Sequence, residues 1–535
     1  PTLTDEQAGA VAALGEAIAA GGYQSFLLYG VTASGKTEVF LRAIEHVLAR
    51  GRQTIVLMPE ISLTAQAVGI YRARFGDRVA VLHSALSLGE RWDEWHRIRT
   101  GEAAIVIGAR SALFAPTRAL GLIVVDEEHE TSYKQEQAPR YHARDVALAR
   151  GELNQCPVLL ASATPSLESF HAAEAGRHRL LRLPTRVERR PLPRVRIVDL
   201  RSARPRPTAL STPLRQAIAA RLQQGEQVIL FLNRRGYATF LLCASCGQAL
   251  RCPHCGISLT YHRGAGQLQC HHCGLAQAPP ETCPHCAGLQ IRFSGFGTER
   301  VEQELTSVFP HARPGRMDRD TTASRGAHLR IVGRFRRAET NVLIGTQMVA
   351  KGFDFPDVTL VGVISADVAL NMPDFRAAER TFQLLTQVSG RSGRGDREGE
   401  VIIQTYRPDH YAIQAGADQD YEAFYRREIE ARRELGYPPF SHLARLLVAD
   451  EHEGRALARV NALAAALRTA AEGRPLDLLG PAPAPIARLR GRHRWHLLVR
   501  GPRPEVQVAL RQALASAPAA ALEGLAVDMD PVSLM

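Results

Sequence analysis

Over roughly the first four hundred positions, short apolar runs alternate with stretches of helical period, and the runs end in polar loops. Phe26 to Tyr29 is such a run; a glycine-rich loop follows, then the helical pattern EVFLRAIEHVLA. GLIVVDEEH (121–129), VLMPE (56–60) and ASATPS (161–166) each read as a strand end turning into a loop. A second half has its own strand and helix alternation, with GTQMVAKGFDFP (345–356) and QVSGRSGRG (387–395) at its turns. Such alternation predicts α/β layers. The pattern changes after residue 408, where DHYAIQAGADQDYEAFYRREIEARRELGY reads as a helical bridge. From Phe440 a strand (HLARLLVA), a helix (455–472), a strand near Leu476, a strand (WHLLVRG), a helix (503–517) and a last strand (LAVDMD) follow. That β-α-β-β-α-β order predicts a small α+β, ferredoxin-like C-terminal domain.

With 535 residues the chain is too long for one core, and three or four domains are expected. It is 45% apolar and 22% charged, which argues against disorder. No apolar run approaches the roughly 18–20 residues that span a bilayer, and PTLTDEQAGAV lacks the parts of a signal peptide. A cytosolic protein with no membrane partner is expected. The first residue is Pro rather than Met, as in a piece cut from a longer chain. The net charge of +12 suits a polyanionic partner. Among 66 basic residues only Lys36, Lys134 and Lys351 are lysine, so lysine should stand where a compact ammonium is needed.

Lys36 stands in SFLLYGVTASGKT, which carries Gly30-x4-Gly35-Lys36-Thr37 between an apolar run and a helical pattern. This is a phosphate-binding loop in its required strand–loop–helix setting. Backbone N–H groups and the helix N-terminus would hold phosphate oxygens of ATP. Lys36 would reach the β- and γ-phosphates, and Thr37 would hold Mg²⁺. Ala33 occupies a position that usually carries glycine, and its methyl is tolerable if φ stays negative. The partner carboxylate is Asp126, at the end of GLIVV, with Glu127 next to it to orient water. Arg391 and Arg394 in QVSGRSGRG have the spacing of residues that stabilise transition-state charge.

Eight of the nine cysteines fall between 243 and 286, as Cys243, Cys246, Cys252, Cys255, Cys270, Cys273, Cys283 and Cys286. Four C-x2-C pairs supply two tetrahedral Cys₄ zinc sites, and in a reducing cytosol metal is the better reading than disulfides. Four pairs can combine in three ways. His254, His271, His272 and His285 are expected to be exposed or to back the ligands, because eight thiolates already fill two sites. Cys156, in CPVLLASA, reads as a small buried hydrophobe. The stretch RLRGRHRWH (488–496) reads as a loop whose four arginines beside Trp495 would contact DNA.

Together these residues resemble the superfamily 2 helicases, and more specifically the PriA family (primosomal protein N′) of replication-restart helicases. The residues that carry the likeness are LTDEQ, the phosphate loop, DEEH with SYKQ (132–135) and RYHARD (140–145), FLNRRGY (231–237), the cysteine-rich insert, GTQMVAKG and RELGYPPF (433–440). They run in family order along essentially the whole chain. The family's N-terminal domain that captures a 3′ end does not precede LTDEQ here.

The resemblance implies two RecA-like P-loop lobes closing on ATP, a double-zinc insertion in lobe 2 and the small C-terminal domain. Lobe 1 would span 1–183, a Pro- and Arg-rich connection 184–208, lobe 2 209–242 with 287–408, the insertion 243–286, the bridge 409–439 and the last domain 440–535. Gln7 looks like the residue that contacts adenine. The nested zinc pairing resembles the family: Cys252, Cys255, Cys270 and Cys273 in one site, Cys243, Cys246, Cys283 and Cys286 in the other. Tyr133 and Tyr141 remain of an aromatic loop that meets DNA, His129 would couple the nucleotide site to DNA motion, and Lys351 would lie in a DNA- or ATP-facing loop. The implied activity is an ATP-dependent 3′→5′ DNA helicase that remodels stalled or repaired forks and initiates replication restart. Implied partners are single-stranded and forked DNA, primosome and helicase-loading proteins and single-stranded DNA-binding protein, in a bacterial cytoplasm near the nucleoid. The alternative is an ATPase-deficient scaffold that binds forks and recruits those partners.

Overall fold

The apolar runs of the first two hundred residues become seven parallel strands. They are β1 (Ser25–Gly30), β2 (Gln53–Leu57), β3 (Val79–Leu82), β4 (Ile105–Gly108), β5 (Leu120–Asp126), β6 (Val158–Ser162) and β7 (Arg179–Leu183), in the order β3-β4-β2-β5-β6-β1-β7. Strands β2 and β6 are buried at every position, as strands covered by helices on both faces must be. Helix Lys36–Leu48 buries Val39, Phe40, Leu41, Ala43, Ile44 and Val47 against this sheet. Each of these side chains other than Ala43 contributes roughly 1.5–3 kcal/mol. Only β6 separates β5 from β1, so the loops after Gly30 and Asp126 leave the same end of the sheet.

The computed structural model describes residues 2–60, 63–187, 193–202, 209–232, 240–262, 265–293, 297–318, 321–322, 326–346, 349, 355, 357–390, 392 and 397–534. It divides into two units, residues 1–191 with 351–353 and residues 192–350 with 354–535. The second unit opens with β8 (Arg194–Asp199), which pairs in parallel with a later strand across Arg194 to Asp199. The stretch expected to be only a connection, 184–208, therefore contributes an edge strand. Alternating exposed and half-buried positions suit that edge. Strand β9 (Gln227–Phe231) precedes the insertion, which holds β10 (Leu241–Cys243), β11 (Thr260–His262), β12 (Gln267–Gln269), β13 (Ala276–Gln277) and β14 (Ile291–Phe293). Antiparallel pairing of β10 with β14 brings the two ends of the insertion together. Strands β15 (Pro314–Met317), β16 (Val342–Gly345), β17 (Val358–Val363) and β18 (Glu400–Thr405) then complete a six-stranded sheet, β15-β16-β9-β17-β18-β8.

Helices Tyr411–Asp418 and Tyr421–Glu434 form the bridge. Phe424 stacks on Phe382 of the preceding helix with centroids 4.5 Å apart, and buried Arg432 bonds Glu428 at 2.7 Å and Glu379 at 3.0 Å. The last domain contains β19 (His442–Asp450), β20 (Asp477–Leu489), β21 (Arg492–Gly501) and β22 (Ala526–Met529) as an antiparallel sheet in the order β20-β21-β19-β22. Helices Glu453–Ala471 and Arg503–Ser516 bury Val460, Leu463, Leu467, Val506 and Leu510 in its core. The arginine-rich stretch 488–496 is not a loop: β20 runs to Leu489 and β21 starts at Arg492. Only Arg490 and Gly491 turn, both at positive φ. The chain end is tied back, with Leu534 buried and its N–H donating to Asp374 Oδ2 at 3.3 Å.

Candidate nucleotide site and metal centres

The phosphate loop leaves β1 at Gly30 and enters its helix through Gly35, which holds φ 77°. A Cβ on Gly35 would collide with the Gln7 amide and Val187, so glycine is required there by contact as well as by φ. Lys36 Nζ donates to Gly30 O at 2.8 Å, which folds the ammonium back over the loop. Gln7 closes a capping box with Thr4 at the start of helix Asp5–Ala20, and its Nε2 donates to Ser34 O at 2.9 Å. Both ends of the Gln7 amide are engaged, so the structure brings Gln7 to the phosphate loop. Ser34 Oγ is buried with no partner among the described residues, an unanswered hydroxyl in the loop. That chemistry fits phosphate oxygens. Thr37 opens the helix, half-buried. Ala33 has φ 64°, so the condition for an unstrained methyl is not met: alanine stands in the conformation that glycine takes without strain.

Asp126 ends β5 beside this loop. Burial raises its carboxyl to about 7, the Glu127 carboxylate adds to the rise, and the Lys36 ammonium opposes it. Glu127 turns off the strand at φ 48°, and its N–H donates to Asp126 Oδ1 at 3.0 Å. Two neighbours do different work. Glu128 is fully buried and accepts from Ser166 N at 2.6 Å, Ser169 Oγ at 2.8 Å and Arg144 at 3.4 Å. His129 Nδ1 lies 2.7 Å from Ser162 Oγ at the end of β6. DEEH is thereby fastened to the ASATPS loop and to RYHARD. Tyr133, expected to stack on DNA, is instead buried, and its hydroxyl donates to Asp126 O at 2.7 Å. Tyr141 stays half-buried, edge-on to Phe114 at 5.3 Å. Arg391, Arg394 and Lys351 lie outside the described residues.

In the insertion each C-x2-C pair folds into the same knuckle. The first cysteine's carbonyl accepts from Gly247, Gly256, Gly274 or Ala287 at 2.7–3.0 Å, and all four residues hold positive φ. The knuckles pair in the nested way. Cys243, Cys246, Cys283 and Cys286 form one cluster and Cys252, Cys255, Cys270 and Cys273 the other. Sulfur separations of 3.6 to 3.7 Å match the edge of a ZnS₄ tetrahedron, about 3.8 Å for bonds of about 2.3 Å. Leu250, Ile257, Leu259 and Leu268 pack against the inner cluster. His254 and His285 are exposed as expected, whereas His271 and His272 are fully buried. They form a joint: His271 meets Pro483 O at 2.8 Å, His272 meets Tyr437 Oη at 3.1 Å, and His496 Nε2 meets His271 O at 2.5 Å. Cys156 is buried, and burial pushes its thiol up to about 11.

Known proteins share these parts. Residues 5–172 match the DEAD/DEAH box helicase family, 298–396 the helicase conserved C-terminal domain, 252–277 the PriA DNA helicase Cys-rich region domain and 433–532 the primosomal protein N C-terminal domain. The replication restart protein PriA of Treponema pallidum is 45% identical over 535 residues, which are 100% of this chain and 80% of that protein. The chain belongs to the PriA family. The PriA proteins of Bacillus subtilis and Synechocystis are 50% and 46% identical, over 93% and 96% of this chain. The chain spans 62% and 63% of the length of those two relatives.

Within the PriA fold, the residues missed by sequence reasoning are Glu128, Arg144, Ser162, Ser166 and Ser169, which lock the Asp126 loop. DEEH, RYHARD and ASATPS are each visible as motifs. Their mutual contact has no local signal. No helix among the described residues is long and apolar enough to cross a membrane.

Proposed function

We propose that this chain works as an ATP-dependent DNA helicase of 3′→5′ polarity that remodels stalled or repaired forks and recruits helicase-loading proteins for replication restart. The observation that carries this reading is a phosphate loop that Gln7 and Lys36 both engage, beside an Asp126 of raised pKa, in a member of the PriA family. Bound ATP with Mg²⁺ would supply the phosphoryl group and the divalent charge that screens it. Lys36 gives up Gly30 O for phosphate oxygens, and the loop N–H groups with the unpartnered Ser34 hydroxyl complete their shell. Asp126, once ionised, and Thr37 hold the metal. Glu127, turned off the strand, orients water, and Arg391 and Arg394 meet developing charge. Gln7 presents the loop to the adenine side, and His129 carries a change at Glu127 to the end of β6.

Two zinc ions would staple the insertion, with the nested clusters as ligands. The turn Arg490–Gly491 and the arginines flanking it suit DNA phosphates. Single-stranded and forked DNA, primosome proteins and single-stranded DNA-binding protein are the proposed partners, in a bacterial cytoplasm near the nucleoid. ATP hydrolysis with and without single-stranded DNA tests the reading. Strong DNA stimulation should fall about 100-fold or more in Lys36→Ala. Displacement should favour a 3′ tail over a 5′ tail. A chain that binds forks and two zincs but hydrolyses nothing overturns the motor in favour of the scaffold.

A further inference from the structure

Helix Leu88–Thr100 is attached to its lobe along a narrow side, since Ile98 is its one buried residue. The opposite side carries Leu88, 84% exposed, Trp92, 66% exposed, and Trp95, 38% exposed. With Arg99 they follow the spacing i, i+4, i+7, i+11 of one helix face. Arg91 and His96 flank them, both exposed. Acidic residues of this helix lie elsewhere. Glu90 closes the capping box with Ser87, Glu94 pairs with Arg97 at 3.0 Å, and Asp93 is off the stripe by spacing. Neither the Arg91 nor the Arg99 side chain has a partner among the described residues. Two of the three tryptophans in 535 residues thus stand in water beside free guanidinium groups.

Such a face needs an occupant with flat apolar surfaces and negative charge. Nucleic acid has both. The side chains stand exposed along one helix face, so they suit stacking on unpaired bases better than anchoring a peptide, which needs pockets. Location agrees. The helix follows β3, whose register with β4 sets Leu82 beside Gly108, so its first turn leaves the sheet at the same end as Arg110–Phe114, with Phe114 51% exposed. We propose that the Leu88–Trp92–Trp95 face is a single-stranded DNA platform, with Trp92 and Trp95 stacking on bases and Arg91 and Arg99 on phosphates. It rests on the reading of the chain as a DNA motor and adds a contact surface to it.

The test uses the full chain with Trp495→Phe, so that Trp92 and Trp95 are the only tryptophans. Oligo(dT) should quench their fluorescence as it binds, with affinity followed separately by anisotropy of labelled oligo(dT). Trp92→Ala with Trp95→Ala should weaken that affinity by about 10-fold or more, while Trp92→Phe with Trp95→Phe retains most of it. Arg91→Ala with Arg99→Ala should flatten the slope of log affinity against log salt by up to about 1.4. Circular dichroism and melting temperature establish that each variant folds. Unquenched tryptophan with undiminished affinity overturns the platform and leaves the motor standing. Quenching by an acidic peptide with none by oligo(dT), or a concentration-dependent dimer that the alanine pair breaks, also overturns it. Absence of any oligo(dT) binding overturns the motor reading, and this proposal with it.

Discussion

The nucleotide pocket and the cysteine insertion are both small polar sites, but they are assembled in opposite ways. All eight thiols of the insertion fall between Cys243 and Cys286, each pair shaped by its own backbone knuckle. The nucleotide site draws on residues 7, 30–37, 126–129, 144 and 162–169, five separate segments joined by buried and part-buried hydrogen bonds. One site is therefore close to all-or-none, because a metal holds four ligands or lets the knuckles go. The other can be degraded by degrees.

Breaking the comparison starts with the metal. Cys270→Ser should empty the inner cluster, reduce zinc from two ions to one by elemental analysis, and expose the insertion to protease. Structural zinc contributes roughly 10–16 kcal/mol in isolated modules. Nucleotide affinity should be unchanged, and an equal loss there would show the two sites to be coupled. Next in size, Glu128→Ala would strand the Ser166 N–H in the interior and take the buried carboxylate from the Ser169 hydroxyl and the Arg144 guanidinium. A cost of about 3–5 kcal/mol is expected, read as a melting transition of the first unit lower by roughly 6–20 °C.

Asp126 sharpens the comparison through pH. Its folded carboxyl titrates near 7 rather than at the ordinary value of about 3.9. A raised acid is favoured in the folded state when protonated, so its contribution is full below the unfolded value and is lost as pH rises through about 7. Mg²⁺ held by Asp126, as proposed, would require the ionised form. The apparent Mg²⁺ affinity for hydrolysis should therefore fall by up to about tenfold per unit below pH 7. Asp126→Asn should stabilise the nucleotide-free protein above pH 7 while removing hydrolysis. The smallest effect expected is from Ala33→Gly. Relief of positive φ is worth about 1–2 kcal/mol, and added chain freedom offsets part of it, leaving a net gain of about 1 kcal/mol or less by denaturant titration.

Much of this is legible along the chain alone. The strand–loop–helix around Lys36, the apolar run into Asp126, the four C-x2-C pairs and the β-α-β-β-α-β order of the last domain are patterns within a few residues or one hydrophobic period. They appear as expected because local geometry decides them. Other expectations fail where contacts between segments take over. The resemblance puts Tyr133 in an aromatic loop that meets DNA, yet the space beneath Asp126 takes its ring and hydroxyl. His271 and His272 take the second of their two expected places, buried behind the ligands with the His272 N–H donating to Cys270 Sγ, but their contacts with Tyr437 and Pro483 have no signal along the chain. Arg194–Asp199 sits in a Pro- and Arg-rich stretch that hides a strand, because an edge strand needs one neighbour and few buried side chains.

The division follows from range. Spacing along the chain determined which residues could hold phosphate, metal and a helix start, since those demands are met by backbone turns a few residues long. Which knuckles pair, which carboxylate is buried as a brace and which has its pKa raised, and which aromatics remain in water depend on atoms brought together from distant segments. Burial and partnered hydrogen bonds set those outcomes, and only the folded chain supplies them.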